Sequence, residues 1–262
     1  MLTKERFKNI ISLLRETGVL YVSDLSNLFN VSEETIRRDL TKLEKEGLLY
    51  RIHGGAISFD HTRIEPSYKA KLNVNIEEKR AIAIEAAKMV EEGDSIILDA
   101  STTTFFFARE LKNKKNITIV TNYPLIIQEL ADVQGINIIS TGGILNRPTY
   151  SLVGPVAEEF IKGLHVDKTF ISTKAISIDD GLTEGDLSNI AVKKCMINAA
   201  KETILLADSS KFKQSAFAQL APISTINIII TDDGIDSEYL LKLRENGIEI
   251  IVAQRLKQSR LK

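Results

Sequence analysis

The chain has 262 residues, long for one compact domain and suited to two of unequal size. Apolar residues make up 44% and charged residues 26%, enough for a sizeable core under a solvated surface, and the net charge of -1 argues neither for nor against a polyanionic partner because a basic patch can be local. A lone cysteine, Cys195, excludes an intrachain disulfide framework and fits a reducing compartment; no stretch reaches the roughly 18 apolar residues of a membrane span and no signal-peptide core follows residues 1–6, so a cytoplasmic protein without a membrane partner is expected.

Phe7, Ile10, Ile11 and Leu14 recur at helical spacing and predict a first helix over 4–16, ended by Gly18. Tyr21 and Val22 read as a short extended piece. Ser23 is expected to cap a second helix with Leu25, Leu28 and Phe29 as its apolar positions, and Asn30-Val31 to turn the chain. Ser32 then caps a third helix ending near Gly47. Residues 48–57 are strand-like, broken at Gly54-Gly55, and residues 57–75, with His61, Pro66 and no period, read as a linker. From Ile76 the pattern changes. Strands are expected over 95–99, 117–121, 136–140, 169–173, 203–207, 226–231 and 249–252, with helices over 77–91, 102–112, 124–132, 154–162, 187–201 and 235–246. Strands alternating with helices make βαβ units and a mainly parallel sheet. The expected organisation is a small helical domain over 1–57, a linker over 58–75, a larger mainly parallel α/β domain over 76–253 and a basic tail over 254–262.

The third helix carries the first chemistry. Ile36, Leu40 and Leu43 share one face and must pack on the first two helices; the opposite face holds Glu34, Thr35, Arg37, Arg38 and Lys42. Arginine reads guanine O6 and N7 in the major groove, and lysine and threonine hold phosphates. Two helices joined by a short turn, the second exposed, is the helix-turn-helix arrangement. The next segment has the look of a wing, with Arg51 and His53 beside the duplex backbone and Gly54 and Gly55 allowing a tight turn and close approach to phosphate. A three-helix domain with a solvated charged face fits the same periodicity, and nine basic against eight acidic residues over 1–56 do not decide between the two.

In the second domain, Asp99-Ala100-Ser101-Thr102-Thr103-Thr104 lies between a predicted strand and a predicted helix. Such a loop sets free amides and hydroxyls around an anion at the positive end of a helix dipole, and Asp99 can accept from sugar hydroxyls; an ordinary Ser/Thr helix cap is the alternative. Thr121-Asn122, Thr141-Gly142-Gly143, Lys174 and Asp208-Ser209-Ser210-Lys211 follow other strands, as one shared crevice at the carboxyl ends requires. Lys174 is a phosphate or carboxylate partner, or a surface charge.

The run Val31-Ser32-Glu33-Glu34-Thr35-Ile36-Arg37-Arg38-Asp39-Leu40, then Leu43-Glu44, Gly47 and Arg51-Ile52-His53-Gly54-Gly55-Ala56, closely resembles the DeoR family of bacterial repressors, whose signature is VS-x-x-TIRRDL-x-x-LE-x-x-G followed by R-x-HGGA. Leu98-Asp99, Thr102-Thr103-Thr104, Val120-Thr121-Asn122, Gly142-Gly143, Ser151-Leu152-Val153-Gly154, Gly181-Leu182-Thr183 and the run from Leu206 to Phe212 resemble that family's effector domain, itself similar to ribose-5-phosphate isomerase. The resemblance spans nearly the whole chain. It implies a winged helix-turn-helix joined to a larger α/β sensor domain, double-stranded operator DNA as partner, and a phosphorylated sugar as effector rather than a cofactor, with its phosphate on residues 101–104. A repressor of a sugar-metabolism operon is the family habit. Two departures stand out: Ser101 where the family commonly has glycine, and Phe170-Ile171-Ser172-Thr173-Lys174-Ala175-Ile176 in place of a glycine-rich F-x-G-x-x-G-I segment.

A homo-oligomer, dimer or tetramer, is expected because paired half-sites need paired readers. Two other functions compete: an isomerase-like enzyme using Asp99 or Asp208 as base, and a DNA-binding protein whose α/β domain only oligomerises. No catalytic residue or metal site is assigned. Cys195 lies on a predicted helix and reads as a small buried hydrophobe; His53, His61 and His165 are scattered, and Asp232-Asp233-Gly234 reads as a turn.

Overall fold

The computed structural model describes residues 3–17, 19–46, 48–52, 54–57, 68–72 and 74–255. The chain forms two units, Met1–Val74 and Asn75–Lys262. His53, His61, Pro66, Gly18, Gly47 and the tail beyond 255 lie outside the described residues. Among the described residues, no helix is long and apolar enough to cross a membrane.

The first unit holds α1 (Thr3–Thr17), β1 (Val19–Tyr21), α2 (Val22–Phe29), α3 (Glu33–Lys45), β2 (Tyr50–Ile52), β3 (Gly55–Ile57) and α4 (Tyr68–Leu72). Ile10 and Leu14 of α1, Leu25 of α2, and Ile36, Leu40 and Leu43 of α3 close one apolar cluster with Leu20, Leu49 and Ala56. Three expectations need correcting. Helix α2 starts at Val22 with Tyr21 at its N-cap and no side-chain cap; Ser23 instead donates to Asp24 from inside the first turn. Leu28 points to solvent, because Val22 and Leu25 already fill the core side of this short helix. The segment read as linker contains α4.

The wing is an antiparallel sheet of order β1-β3-β2. Gly54 turns the chain at φ +79 and stands in open space, and its carbonyl accepts from the Val22 amide at 2.8 Å. Gly55 has a different reason to be glycine: a Cβ there would lie 2.2 Å from the Leu20 carbonyl oxygen on the paired strand. It is buried, and the structure gives it the close approach of two protein backbones as its reason.

The second unit is built on seven parallel strands in the order β15-β14-β12-β9-β4-β5-β6. These are β4 (Ser95–Leu98), β5 (Ile117–Thr121), β6 (Ile136–Ser140), β9 (Val166–Ile171), β12 (Ala200–Leu206), β14 (Ile228–Asp232) and β15 (Glu249–Ala253). The helices are α5 (Ile76–Lys88), α6 (Thr102–Glu110), α7 (Pro124–Leu130), α8 (Pro155–Lys162), α9 (Leu187–Ala199) and α10 (Ser237–Glu245). Both sheet faces are covered, which is why strands such as Ile96-Ile97-Leu98 are apolar without alternation. Ile97, Val120, Ile171, Leu205 and Ile229 pack with α8, α9 and α10. On the other face Phe107 of α6 meets Phe170 of β9 at a ring separation of 4.5 Å. Two smaller sheets complete the unit: the hairpin β7 (Ile144–Asn146) and β8 (Ser151–Val153), and the antiparallel set β10 (Ala175–Ser177), β11 (Gly181–Glu184) and β13 (Ala218–Ala221). Their three- and four-residue strands are too short to show a period in sequence.

Gly55→Ala is expected to lower the thermal midpoint by the equivalent of about 1–3 kcal/mol, the usual cost of overpacking, and by more than Gly54→Ala does. A Gly55→Ala protein as stable as wild type but weak on DNA would restore the phosphate-approach reading.

Candidate DNA interface and effector crevice

Ser32 caps α3 by accepting from the Thr35 amide at 3.3 Å, and its hydroxyl lies 2.9 Å from that of Thr35. Glu33 and Glu34 occupy the first turn, where the helix dipole favours acids. With Ile36, Leu40 and Leu43 fully buried, Glu34, Arg37, Arg38 and Lys42 are left on the exposed side. Arg37 pairs with Glu33 at 2.9 Å, an exposed ion pair of little net value that DNA can displace. Arg38 and Lys42 have no side-chain partner among the described residues. Arg51 is tied to α3 rather than held out: its guanidinium donates to Thr41 Oγ1 at 2.9 Å and its amide to Glu44 Oε1 at 3.0 Å. His53 lies outside the described residues.

The sequence reading missed the feature that orients this helix. Asp39, next to Arg38, is 2% exposed and its Oδ2 lies 2.6 Å from Nε of Arg6, itself 6% exposed. Helix α1 thereby fixes the rotation of α3 through a buried ion pair. The signal in sequence is an acid on the apolar side of an amphipathic helix.

In the second unit the parallel sheet gathers the strand ends on one edge. Asp99, just after β4, is fully buried; Oδ2 accepts from the Ser172 amide at 2.9 Å and pairs with Lys193 Nζ at 3.1 Å, while Oδ1 lacks a partner. Lys193, from α9, also donates to the Ser172 carbonyl at 2.7 Å and pairs with Glu184 at the end of β11. Burial works against the Lys193 ammonium, but the Glu184 and Asp99 carboxylates outweigh it and hold its pKa above the ordinary lysine value. Neither Lys193 nor Glu184 was legible as a site residue: Lys193 sits beside Lys194 and reads as surface.

Ser101 and Thr104 form a capping box at the start of α6: Ser101 Oγ accepts from the Thr104 amide at 3.1 Å, and Thr104 Oγ1 donates to the Asp99 carbonyl at 2.7 Å. Those two hydroxyls are engaged. Thr102 and Thr103 differ, since their amides open the helix where no intrahelical acceptor exists and their hydroxyls have no partner among the described residues. Thr121 is committed to structure, donating to the Leu98 carbonyl and accepting from the Tyr123 amide. Asn122 donates to the Leu152 carbonyl at 3.0 Å and keeps a buried Oδ1 with no partner. Gly143, at φ +117, is required by the hairpin, where a Cβ would meet the Val153 carbonyl at 2.7 Å; Gly142 adopts φ +67. Lys174 is half-buried just past β9. Asp208 is buried and accepts from Asn75 at 2.9 Å and from Ser210. Burial pushes its carboxyl up, but Lys211, Ser210, Lys79 and Asn75 bring it below the ordinary carboxylate value. Asp232, fully buried, makes the turn after β14 and holds the Ser209 amide at 2.6 Å. Cys195 is buried, and burial raises its thiol pKa. Among the described residues, no group of three or more His, Cys, Asp and Glu has the arrangement of a metal site.

A capped, amphipathic α3 with a three-stranded wing, followed by a parallel α/β domain whose polar strand ends share one edge, is the architecture of a transcriptional regulator that binds DNA and senses an effector. The chain belongs to the DeoR family: the DeoR-like helix-turn-helix domain model matches residues 6–62 and the DeoR C terminal sensor domain model matches residues 74–233. It is 40% identical to the uncharacterized HTH-type transcriptional regulator YulB of Bacillus subtilis, over 95% of this chain and 96% of that protein. It is 35% identical to a putative aga operon transcriptional repressor of Escherichia coli O157:H7, over 95% and 94%. Among solved structures, the ribose 5-phosphate isomerase A of Methanocaldococcus jannaschii overlays with a TM-score of 0.40 at 20% identity, covering 53% of this chain and 55% of that one.

Arg38→Ala is expected to weaken DNA binding in a salt-controlled titration with no change in thermal midpoint, whereas Asp39→Ala, which strands a buried guanidinium, loses about 3–5 kcal/mol of stability as well. Equal stability of the two variants would show that the Arg6–Asp39 pair does not hold α3.

Lys193→Met leaves Asp99 and Glu184 as buried like charges, and should likewise cost about 3–5 kcal/mol at pH 8. In the wild type the raised lysine contributes fully below the ordinary lysine pKa of about 10.4 and less above it, so the stability it supplies falls with pH only at the alkaline end, a loss that Lys193→Met does not show. A variant as stable as wild type at pH 8 would remove the network from the account.

Proposed function

We propose that the protein is a ligand-gated repressor of a sugar-metabolism operon, a homo-oligomer that reads operator DNA with α3 and its wing and is modulated by a phosphorylated sugar in the crevice of the second unit. One observation carries the effector reading: the first turn of α6, directly after the central strand β4, leaves the amides and hydroxyls of Thr102 and Thr103 without partners among the described residues. Amides at the positive end of a helix dipole are a phosphate site. Beside them Asp99 Oδ1 and Asn122 Oδ1 lack donors, and a polyol supplies donors. Lys211 and Lys174, on neighbouring strand ends, add positive charge for the phosphate. The repressor reading is supported by relatives that carry that description, including the transcriptional repressor AccR of Agrobacterium fabrum, 37% identical over 88% of this chain.

Gating requires that the effector bind one DNA-binding geometry of the oligomer better than another; only that difference shifts occupancy of the operator. The test is a thermal-shift titration of the full chain against sugar phosphates and their unphosphorylated parents. A ligand at about 100 times its Kd stabilises the folded state by about 2.7 kcal/mol. A shift with a sugar phosphate, absent with its parent and lost in Thr103→Ala with DNA binding retained, is the expected result. A flat response to every phosphate sinks the phosphosugar reading, and an equal response to parent sugars sinks the role of α6.

A further inference from the structure

Among the described residues ten large apolar side chains are exposed, and five of them, Ile144, Leu145, Val156, Phe160 and Leu187, belong to three adjoining elements of the second unit. Their exposures run from 37% to 69%, so the clustering is not made of grazing contacts. Ile144 and Leu145 are on the hairpin strand β7, Val156 and Phe160 lie one turn apart on α8, and Leu187 opens α9. Two glycines show how closely these pieces meet: a Cβ on Gly154 would lie 3.6 Å from Ile144 Cδ1, and one on Gly142 would lie 3.6 Å from Val156 Cγ1. Asn146 at the end of β7 donates to Asp186, the residue before Leu187, at 3.0 Å, which joins α9 to the same face. Monomers rarely leave contiguous apolar patches of this kind in water.

The opposite edge of the sheet is finished differently. There β15 leads into Arg255, which pairs with Asp233 and with Glu78, a polar closure. Beyond the β6 edge, by contrast, the chain continues into the apolar hairpin.

We infer that the face made by β7–β8, α8 and the start of α9 is where two copies of this chain join around a two-fold axis. This rests on the reading of the regulator as a homo-oligomer. Three features favour a second copy over another partner. An apolar centre free of charge is the composition of homodimer interfaces. A two-fold contact sets each patch against itself, so its rim must carry both signs; Arg147 at the hairpin tip and Glu159, one turn from Val156 on α8, are exposed and oppositely charged, and Glu159 is met within its own helix only by the exposed Lys162. Finally, a single helix-turn-helix has a limited hold on DNA, and paired half-sites need paired readers. The hairpin is fastened to the crevice as well: the Leu152 amide donates to the Asn122 carbonyl at 2.8 Å, and Asn122 Nδ2 donates back to the Leu152 carbonyl at 3.0 Å. The interface lies one residue from a crevice side chain.

The experiment is sedimentation velocity on the full chain from 0.1 to 50 μM, ranges of about the scale over which homodimers of ordinary affinity dissociate, for wild type, Val156→Glu, Ile144→Glu and Leu241→Glu. Leu241 is an exposed apolar residue of α10, which packs against β15 at the other edge, and serves as the control. Wild type and Leu241→Glu should be oligomeric, and Val156→Glu and Ile144→Glu should dissociate with a Kd raised about 100-fold or more at unchanged thermal midpoint. Since both patch positions are mostly exposed, the pair guards against one variant failing to fold. An oligomer that survives both patch substitutions, or that Leu241→Glu disrupts equally, overturns this surface while leaving the oligomeric reading intact. A wild-type monomer across the range overturns the oligomer itself.

Discussion

The parallel direction of the seven-stranded sheet is the constraint on which the second unit depends. Because every strand runs the same way, each connection must cross over the sheet, and helices cover both faces. Strand interiors are then apolar throughout, as in Ile228-Ile229-Ile230 and Leu205-Leu206. Polar chemistry is confined to the ends, and all carboxyl ends share one edge. The order places β9 beside β4, which brings Ser172 to the carboxylate of Asp99 although the two are 73 positions apart in the chain.

Two buried ion arrangements organise the two units, and they work differently. In the smaller unit Arg6 and Asp39 form a single pair inside a three-helix core, and its geometry sets which side of α3 faces out. The cations on the exposed side of α3 remain in water, where they cost little to hold. In the larger unit buried Lys193 lies between two buried carboxylates and a backbone carbonyl. Such a group is tolerated because three strand or helix ends converge on it; removal of one member leaves charge without compensation. Placed beneath the crevice, it ties β4, β9, β11 and α9 together where an effector is proposed to sit.

Much of the organisation was legible because it follows from local periodicity. The seven strands and six helices of the larger unit appear where runs of Ile, Leu and Val alternate with amphipathic stretches, and Ser32 was readable as a cap because capping is a contact between residues three apart. Helix α2 departs from its sequence pattern at both ends, since eight residues hold too few turns for Leu28 to be separated from Leu25 by period alone. Of the crevice, the loops were legible but not which of their atoms are free: Thr104 and Thr121 turn their hydroxyls to backbone groups, while Thr102 and Thr103 do not.

The family is carried by motifs in the sequence, and the two-part organisation, the exposed cationic face of α3 and the chain order of the seven sheet strands with their helices follow from residue spacing, because these rest on contacts within a turn or on an apolar run. Three-dimensional packing is what makes Gly55 a glycine for the sake of Leu20, buries Lys193 between Asp99 and Glu184, sets Arg6 on Asp39, and brings exposed apolar residues of β7 and α8 near one another. Each of these joins residues distant in the chain, and such a pairing is set by strand order and helix packing rather than by the spacing of residues along the sequence.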